Sequence, residues 1–292
     1  MSIPEPWLQD AKATAEVLQK YNFRFQKKFG QNFLIDRHVL DKIIAAADIT
    51  KDDMILEIGP GIGTLTQLLA YNAKKVISVE IDKNLIPVLK YTLDGYDNVK
   101  VINEDILKLD IKKLVEEEND NKPIKVVANL PYYITTPIIM GLFEKHVPIE
   151  SITVMIQKEV AARMSANPGT KDYGALSLAV QYYSKPYLAA NVPPNCFMPR
   201  PDVSSAVIKL TLLKDKIKVS SEETLFALIK AAFAQRRKTF INCLRNSDSF
   251  TFSKEEWEDI FDEAKLSPSV RGEALTLQMF ADLTEIINRR KS

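Results

Sequence analysis

Two stretches of this chain combine residue types and spacings that can do chemistry. The first is Glu57-Ile58-Gly59-Pro60-Gly61-Ile62-Gly63, placed where an apolar run gives way to a helical pattern. Glycines there permit a tight turn and let a ligand approach the backbone closely. Twenty-one residues after Gly59, Glu80 closes a second apolar run, in position to accept hydrogen bonds from ribose hydroxyls. The pair predicts a nucleoside-bearing cofactor. A dinucleotide fold normally shows G-x-G-x-x-G and leaves a helix N-terminus free for pyrophosphate. Here the pattern is E-x-G-x-G-x-G, and an acid entering the turn suits a cationic cofactor better than a dianion. That favours S-adenosyl-L-methionine over NAD. A third run ends in Val101-Ile102-Asn103-Glu104-Asp105. Asp105 reads either as a turn cap or as an acceptor for an adenine amino group.

The second stretch, and the sharper signal, is Asn129-Leu130-Pro131-Tyr132-Tyr133-Ile134-Thr135, at the end of a fourth run. The exocyclic amino group of adenine is a poor nucleophile because its lone pair is delocalised into the ring. Two acceptors placed on its hydrogens make the nitrogen pyramidal and aim the lone pair outward. The Asn129 side-chain oxygen and the Leu130 carbonyl can supply them, Pro131 fixes the backbone between, and Tyr132 can stack on the base. Such a site needs no base of tuned pKa; positioning and electrostatics carry the reaction. The plainer reading is a strand end followed by a proline turn.

Those residues need a scaffold that brings strand ends together. Four β-branched-rich runs recur at Met54–Ile58, Lys75–Glu80, Val99–Asn103 and Lys125–Asn129, separated by helical segments such as Thr64–Tyr71 and Lys83–Leu93. Near-continuous apolar strands alternating with helices predict a parallel sheet covered on both faces, an α/β doubly wound fold. Further runs at Ser151–Ile156 and Val203–Leu213 extend the sheet to six or seven strands, the late ones antiparallel. Before the first run, 36–47 has helical apolar spacing. Past residue 213 the strand pattern stops. Ser220-Ser221-Glu222-Glu223 has capping-box spacing ahead of an apolar helical stripe, and 254–265, 277–280 and 281–290 also read as helical. The expected domains are 1–213 and a smaller all-helical 214–292, a division that suits a chain of 292 residues.

Composition removes other classes. A hydrophobic fraction of 46% supports a sizeable core and argues against disorder. No apolar run suits a membrane span and the first residues lack a leader's apolar stretch, so a cytoplasmic protein is expected. Cys196 and Cys243 are the only cysteines, without C-x-x-C spacing, and His38 and His146 lie far apart. Neither a metal site nor a Ser-His-Asp hydrolase is expected. The net charge of +1 does not announce a nucleic-acid partner, so any such surface must come from local clusters.

EIGPGIGTLT, VEID, NEDIL and NLPYYIT, with FGQNFL upstream, resemble the ribosomal RNA adenine N6,N6-dimethyltransferase family. The likeness is strongest to its small-subunit branch, and covers roughly residues 24–285. It continues through Phe197-Met198-Pro199-Arg200-Pro201-Asp202-Val203-Ser204-Ser205, similar to a late F-x-P-x-P-x-V-x-S motif, to Phe233-Ala234-Gln235-Arg236-Arg237-Lys238. The resemblance implies a Rossmann-like S-adenosyl-L-methionine-dependent methyltransferase domain over 1–213 and a helical RNA- or ribosome-binding domain over 214–292. It implies cofactor contacts by Asn32, Leu34, Gly59, Gly61, Glu80, Asp105 and Asn129. It places Asn129, Leu130 and Tyr132 at the target amine, and Phe197 against a flipped base opposite Tyr132. The implied partner is small-subunit ribosomal RNA within an immature subunit, with two adjacent adenosines near the 3′ end modified by four methyl transfers. A monomer is expected. Lys27-Lys28 and Arg236-Arg237-Lys238 are candidate phosphate contacts, whereas Lys74-Lys75 reads better as a solvated face. Residues 1–23 exceed what the shared motifs need and are either a docking arm or a packed helix. Rival readings are the sister group acting on large-subunit RNA, a non-catalytic assembly factor and, least, a nicotinamide dehydrogenase.

Overall fold

The four β-branched runs form the parallel centre of one sheet in the computed structural model, which describes residues 6–8, 11–26 and 30–291. In chain order, α1 (Ala11–Lys20), β1 (Phe33–Leu34) and α2 (Arg37–Ala47) lead into β2 (Met54–Ile58), α3 (Thr64–Asn72), β3 (Lys75–Glu80), α4 (Ile86–Thr92) and β4 (Val99–Asn103). Then come α5 (Ile111–Asn119), β5 (Ile124–Asn129), α6 (Thr135–Glu144), β6 (Ile149–Gln157), α7 (Lys158–Met164), α8 (Ala175–Tyr183), β7 (Ser184–Val192), β8 (Phe197–Met198) and β9 (Ser205–Leu212). The rest is helical: α9 (Glu222–Ala234), α10 (Phe240–Arg245), α11 (Lys254–Glu263) and α12 (Leu277–Lys291).

The main sheet has the order β4-β3-β2-β5-β6-β9-β7. Strands β2 to β6 pair in parallel, and β9 runs antiparallel to β6. All five residues of β2 are buried, as a central strand covered on both faces requires. β7 did not stand out in the sequence, since its apolar residues do not alternate with polar ones and Pro186 lies among its first residues. It lies at the end of the sheet, where a proline is tolerated because only one side of the strand is paired.

Caps fix where the helices begin. Asp36 accepts from Val39 N at 3.1 Å at the start of α2, and Asp110 accepts from Lys113 N at 3.0 Å ahead of α5. At α9 the cap is Ser221, which accepts from Thr224 N at 3.1 Å, while Ser220 N donates to Glu285 at 2.6 Å. The reciprocal box forms instead at α11, between Ser253 and Glu256. Nothing breaks the chain between Phe280 and Ala281, so the two expected final segments make one helix.

Two compact units result, Met1–Ala161 with Tyr187–Leu212, and Ala162–Pro186 with Leu213–Ser292. The last of the three crossings, between Leu212 and Leu213, falls where the sequence pattern changes. Residues 162–186, which sequence patterning grouped with the first part, lie in the second unit. Their partners are remote in sequence. Tyr173 Oη donates to the Leu275 carbonyl at 2.8 Å, and the Tyr182 and Tyr183 hydroxyls both donate to Glu222 on α9. Within the first unit, the described residues before Tyr21, 6–8 and 11–20, pack against the rest of the unit. Leu8, Val17 and Leu18 are buried with Leu85, Val88 and Leu89 of α4 and its cap. Gln67 locks the segment in place, accepting from Leu8 N at 3.0 Å and donating to the Pro6 carbonyl at 2.8 Å. No helix among the described residues is long and apolar enough to cross a membrane.

Candidate active site

The sheet grows from β2 through β3 to β4 on one side and from β5 to β6 on the other. The strand order therefore reverses between β2 and β5, and the crevice beyond their carboxyl ends is where open α/β sheets bind ligands. Gly59 follows β2 and Asn129 ends β5, so pairing these two strands joins the two chemical signals of the sequence. A cleft of about 890 Å³, open mouth included, occupies this place. Asn32, Leu34, Gly59, Gly61, Glu80, Asn129, Leu130, Tyr132 and Phe197 all line it. Asp105 lines an adjoining recess that shares Gly59, Ile81, Pro131 and Tyr133 with the cleft and is otherwise walled mainly by isoleucine and valine. Its Oδ1 accepts from Leu107 N at 3.0 Å, so Asp105 caps its turn and also borders an apolar slot.

Gly59, Gly61 and Gly63 all have positive φ, which an L side chain adopts only with strain. Gly61 N donates to Glu80 Oε2 at 3.3 Å, and Asp82 N donates to Glu80 Oε1 at 2.7 Å. Glu80 is only 4% exposed, and burial pushes its carboxyl up to about 7. No lysine, arginine or histidine is among the described residues that line the cleft. A pyrophosphate would meet two glutamates and no cation, whereas a positively charged, hydroxyl-bearing ligand would relieve Glu80's burial. These donors and acceptors fit S-adenosyl-L-methionine. Glu80 offers a carboxylate that hydroxyls could donate to, the glycine loop admits close approach, and Asp105 borders an apolar recess.

Glu57 differs from its sequence reading. Its carboxylate does not serve as the acid of the turn; it accepts from Thr66 Oγ1 and Ser78 Oγ, each at 2.7 Å. It therefore ties α3 to β2 and β3 beneath the loop. Burial pushes it up to about 7 against those two bonds, with Glu80 adding repulsion. The unfolded carboxyl titrates near 4.5. Between these values the native state holds a proton that the unfolded chain has lost, so stability falls as pH rises through that window. The loss for Glu57 alone is on the order of 3 kcal/mol. Urea unfolding at pH 5 and pH 8 should show this decline, and Glu57→Gln should shrink it. An identical decline in the variant would remove Glu57 as its source.

Asn129 Nδ2 donates to the Asn32 carbonyl at 3.1 Å. A carbonyl can only accept, so the amide must turn its nitrogen toward Asn32, leaving Oδ1 as the end available to a ligand. Leu130 N donates to the Met155 carbonyl at 3.1 Å, fixing the backbone just past β5. The FGQNFL lead-in reaches the cleft through β1, which pairs antiparallel with β8 so that Leu34 faces Phe197. Two motifs some 160 residues apart thus form one small sheet at the site. Phe197 is 4% exposed and belongs to the core cluster with Leu34 and Val39 while also lining the cleft. It is thus a core residue that also forms part of the cleft wall.

The sequence reading missed Asp82 and Ser205. Asp82, 2% exposed, accepts from Gln31 Nε2 at 2.7 Å and from Gln26 Nε2 at 3.1 Å, clamping the lead-in beside Glu80. The available signal was the second acid of VEID. The Ser205 hydroxyl lies 2.8 Å from Tyr132 Oη.

The candidate phosphate contacts Arg236, Arg237 and Lys238 are not among the residues that line this cleft. They are exposed in the second unit. Arg236 is committed to its own unit, with Nε 2.8 Å from Glu273 and Nη2 donating to the Lys171 carbonyl at 2.7 Å. Arg237 and Lys238 therefore carry more of that reading. Lys27 and Lys28 lie outside the described residues. Lys75 is paired with Glu118, as is Lys100, which accounts for that basic stretch without a ligand.

Comparison with known proteins places this chain in a lineage. Ribosomal RNA small subunit methyltransferase A of Lachnoclostridium phytofermentans is 65% identical over 97% of this chain and 99% of its own. The protein of the same name from Alkaliphilus metalliredigens is 52% identical over 95% and 97%. The crystal structure of a dimethyladenosine transferase from Plasmodium falciparum matches with a TM-score of 0.74 at 28% identity, over 89% of this chain and 98% of that one. The 23S rRNA methyltransferase ErmE matches with a TM-score of 0.67 at 26% identity, over 88% and 100%. The family model described as ribosomal RNA adenine dimethylase spans residues 22–288, so this chain belongs to the ribosomal RNA adenine dimethylase family.

Proposed function

We propose that this protein transfers methyl groups from S-adenosyl-L-methionine to the N6 amino groups of two adjacent adenosines in a hairpin near the 3′ end of small-subunit ribosomal RNA. The products are N6,N6-dimethyladenosines, formed on an immature subunit by a cytoplasmic monomer. When bound, the cofactor supplies an electrophilic methyl group on a positively charged sulfur. Glu80 and the Gly59–Gly61 loop hold it, with Asn32, Leu34 and Asp105 alongside. Asn129 Oδ1 and the Leu130 carbonyl accept from the two target N–H groups and turn the lone pair out of the ring plane. Tyr132 and Phe197 flank the extruded base and offset its lost stacking. Arg237 and Lys238, with Arg236 and the lysines at 27 and 28, neutralise phosphates outside the pocket.

The observation that carries this reading is the Asn129 amide, tethered by its nitrogen to Asn32 with its oxygen left for the ligand. The direct test incubates the protein with labelled S-adenosyl-L-methionine and unmethylated immature small or large subunits, then identifies the modified nucleosides. Dimethyladenosine at two neighbouring positions in small-subunit RNA supports the proposal. Label only in large-subunit RNA, or none despite subunit binding, overturns it.

Cofactor affinity should also depend on pH. Glu80 titrates near 7 in the free protein, and a cation with ribose hydroxyls binds its ionised form. Affinity should therefore weaken by about tenfold from pH 8 to pH 6, by linkage. In Glu80→Gln it should be lower and nearly flat. Calorimetric titration of the free protein at the two pH values would reveal either pattern; a constant wild-type affinity would take Glu80 out of the site.

A further inference from the structure

The late motif runs from Phe197 to Ser205, and its two ends lie on different elements. Phe197 is in β8, opposite Leu34, and lines the cleft directly. Ser205 begins β9, opposite Gln157 at the end of β6, and is completely buried. Its hydroxyl makes a 2.8 Å hydrogen bond to Tyr132 Oη. Tyr132 is only partly buried and follows a proline, so the backbone fixes one end of the side chain and Ser205 fixes the other. A tyrosine at an open cleft without such an anchor would sample several rotamers. Held at both ends, its ring has a set plane before RNA arrives.

We infer that Ser205 is a positioning residue for methyl transfer, orienting Tyr132 so that the late motif sets both walls of the base pocket, Phe197 directly and Tyr132 through Ser205. The inference rests on the function proposed above. Ser205 is not among the residues that line the cleft. Its influence travels through one hydrogen bond, which makes it separable from a packing role. Loss of that bond leaves the cofactor residues and the phosphate contacts in place. It should therefore lower the rate after binding rather than affinity for subunit or cofactor.

The test is a double-mutant cycle with Ser205→Ala, Tyr132→Phe and the pair, assayed on immature small subunits beside the unaltered protein. Each single change removes one partner of the same hydrogen bond and should lower kcat roughly five- to tenfold. The pair should fall within about twofold of either single, because the bond can be lost only once. Subunit and S-adenosyl-L-methionine dissociation constants should stay within about twofold of wild type. Multiplying losses in the pair, wild-type kcat in Ser205→Ala, or an equal loss of cofactor affinity would each overturn the inference. Tyr132→Phe deletes only an oxygen and reports on the bond even if Ser205→Ala lowers the melting temperature. An unaltered protein that transfers no methyl group would defeat the functional reading and this inference together. An active one with additive variants would defeat this inference alone.

Discussion

Asn129→Ala is expected to lower methyl transfer by about 10²- to 10³-fold, the scale seen when one positioned polar group is removed from a reacting centre. Two effects combine. The variant loses Oδ1, one of the two acceptors proposed to bring the target nitrogen's lone pair out of conjugation. It also loses the 3.1 Å bond from Nδ2 to the Asn32 carbonyl, which holds the lead-in against β5. Asn129→Asp separates them. A carboxylate keeps an acceptor for the amine but faces the Asn32 carbonyl with a second acceptor, so the tether becomes a repulsion. Single-turnover rates on immature subunits should rank wild type well above Asp, and Asp at or above Ala. Subunit affinity should change by less than about threefold, since Asn129 is not among the residues proposed to contact phosphate. A rate within fivefold of wild type in Asn129→Ala, or a matching loss in RNA affinity, would remove the residue from the reacting centre.

Gly61→Ala should be the most damaging single-methyl change in the glycine loop. A Cβ at this position would lie 2.9 Å from Phe33 Cε1 and 3.0 Å from Cδ1, closer than real contacts allow. The ring has little room to yield. Phe33 is in β1, paired with Met198, and its ring lies 5.9 Å from Phe23 and 5.6 Å from Phe25. The backbone adds a cost of its own, about 1–2 kcal/mol for an L residue in the left-handed region. Overpacking contributes roughly 1–3 kcal/mol more. Relief would come by moving the loop, taking Gly61 N away from Glu80 Oε2 and weakening cofactor binding. Gly59→Ala is the control, because its φ is similarly positive but its Cβ would meet nothing within 4 Å. Urea unfolding should therefore find Gly61→Ala less stable than Gly59→Ala by the overpacking cost. Equal stabilities would mean that the Phe33 ring moves freely and that the close approach has no structural weight.

The division between what was legible in the chain and what was not follows the range of each interaction. Strands β2 to β5 could be read within a residue or so because each is a dense β-branched run that both faces of a central strand demand. Gly59, Glu80 and Asn129 could be singled out because each sits at the junction closing such a run, and α/β sheets bind ligands beyond those ends. β7 could not, since an edge strand containing Pro186 has no apolar periodicity to announce it. Residues 162–186 could not be assigned, because the groups that hold them, Glu222 and the Leu275 carbonyl, lie far along the chain.

Within the site, composition located the acids but only three dimensions told them apart. Glu57 and Glu80 both look like carboxylates serving a cationic ligand. Both border the cleft, but one proves to be committed to Thr66 and Ser78 on neighbouring elements, whereas the other accepts from the Gly61 and Asp82 amides at the loop. Phe197 and the FGQNFL segment entered through likeness to a family, and their meeting as β8 and β1 is a tertiary fact. The clamp of Asp82 on Gln26 and Gln31, the anchor of Tyr132 on Ser205, and the engagement of Arg236 by Glu273 leave no periodic trace. Thus the sequence by itself determined the strands, the glycine turn and the identity of the chemically able side chains, because these follow from local pattern and residue type. Which of those side chains meet, and which are already satisfied by a neighbour, was decided only by the order β2-β5-β6-β9 and the β1–β8 pairing, since a hydrogen bond depends on distance in space rather than separation along the chain.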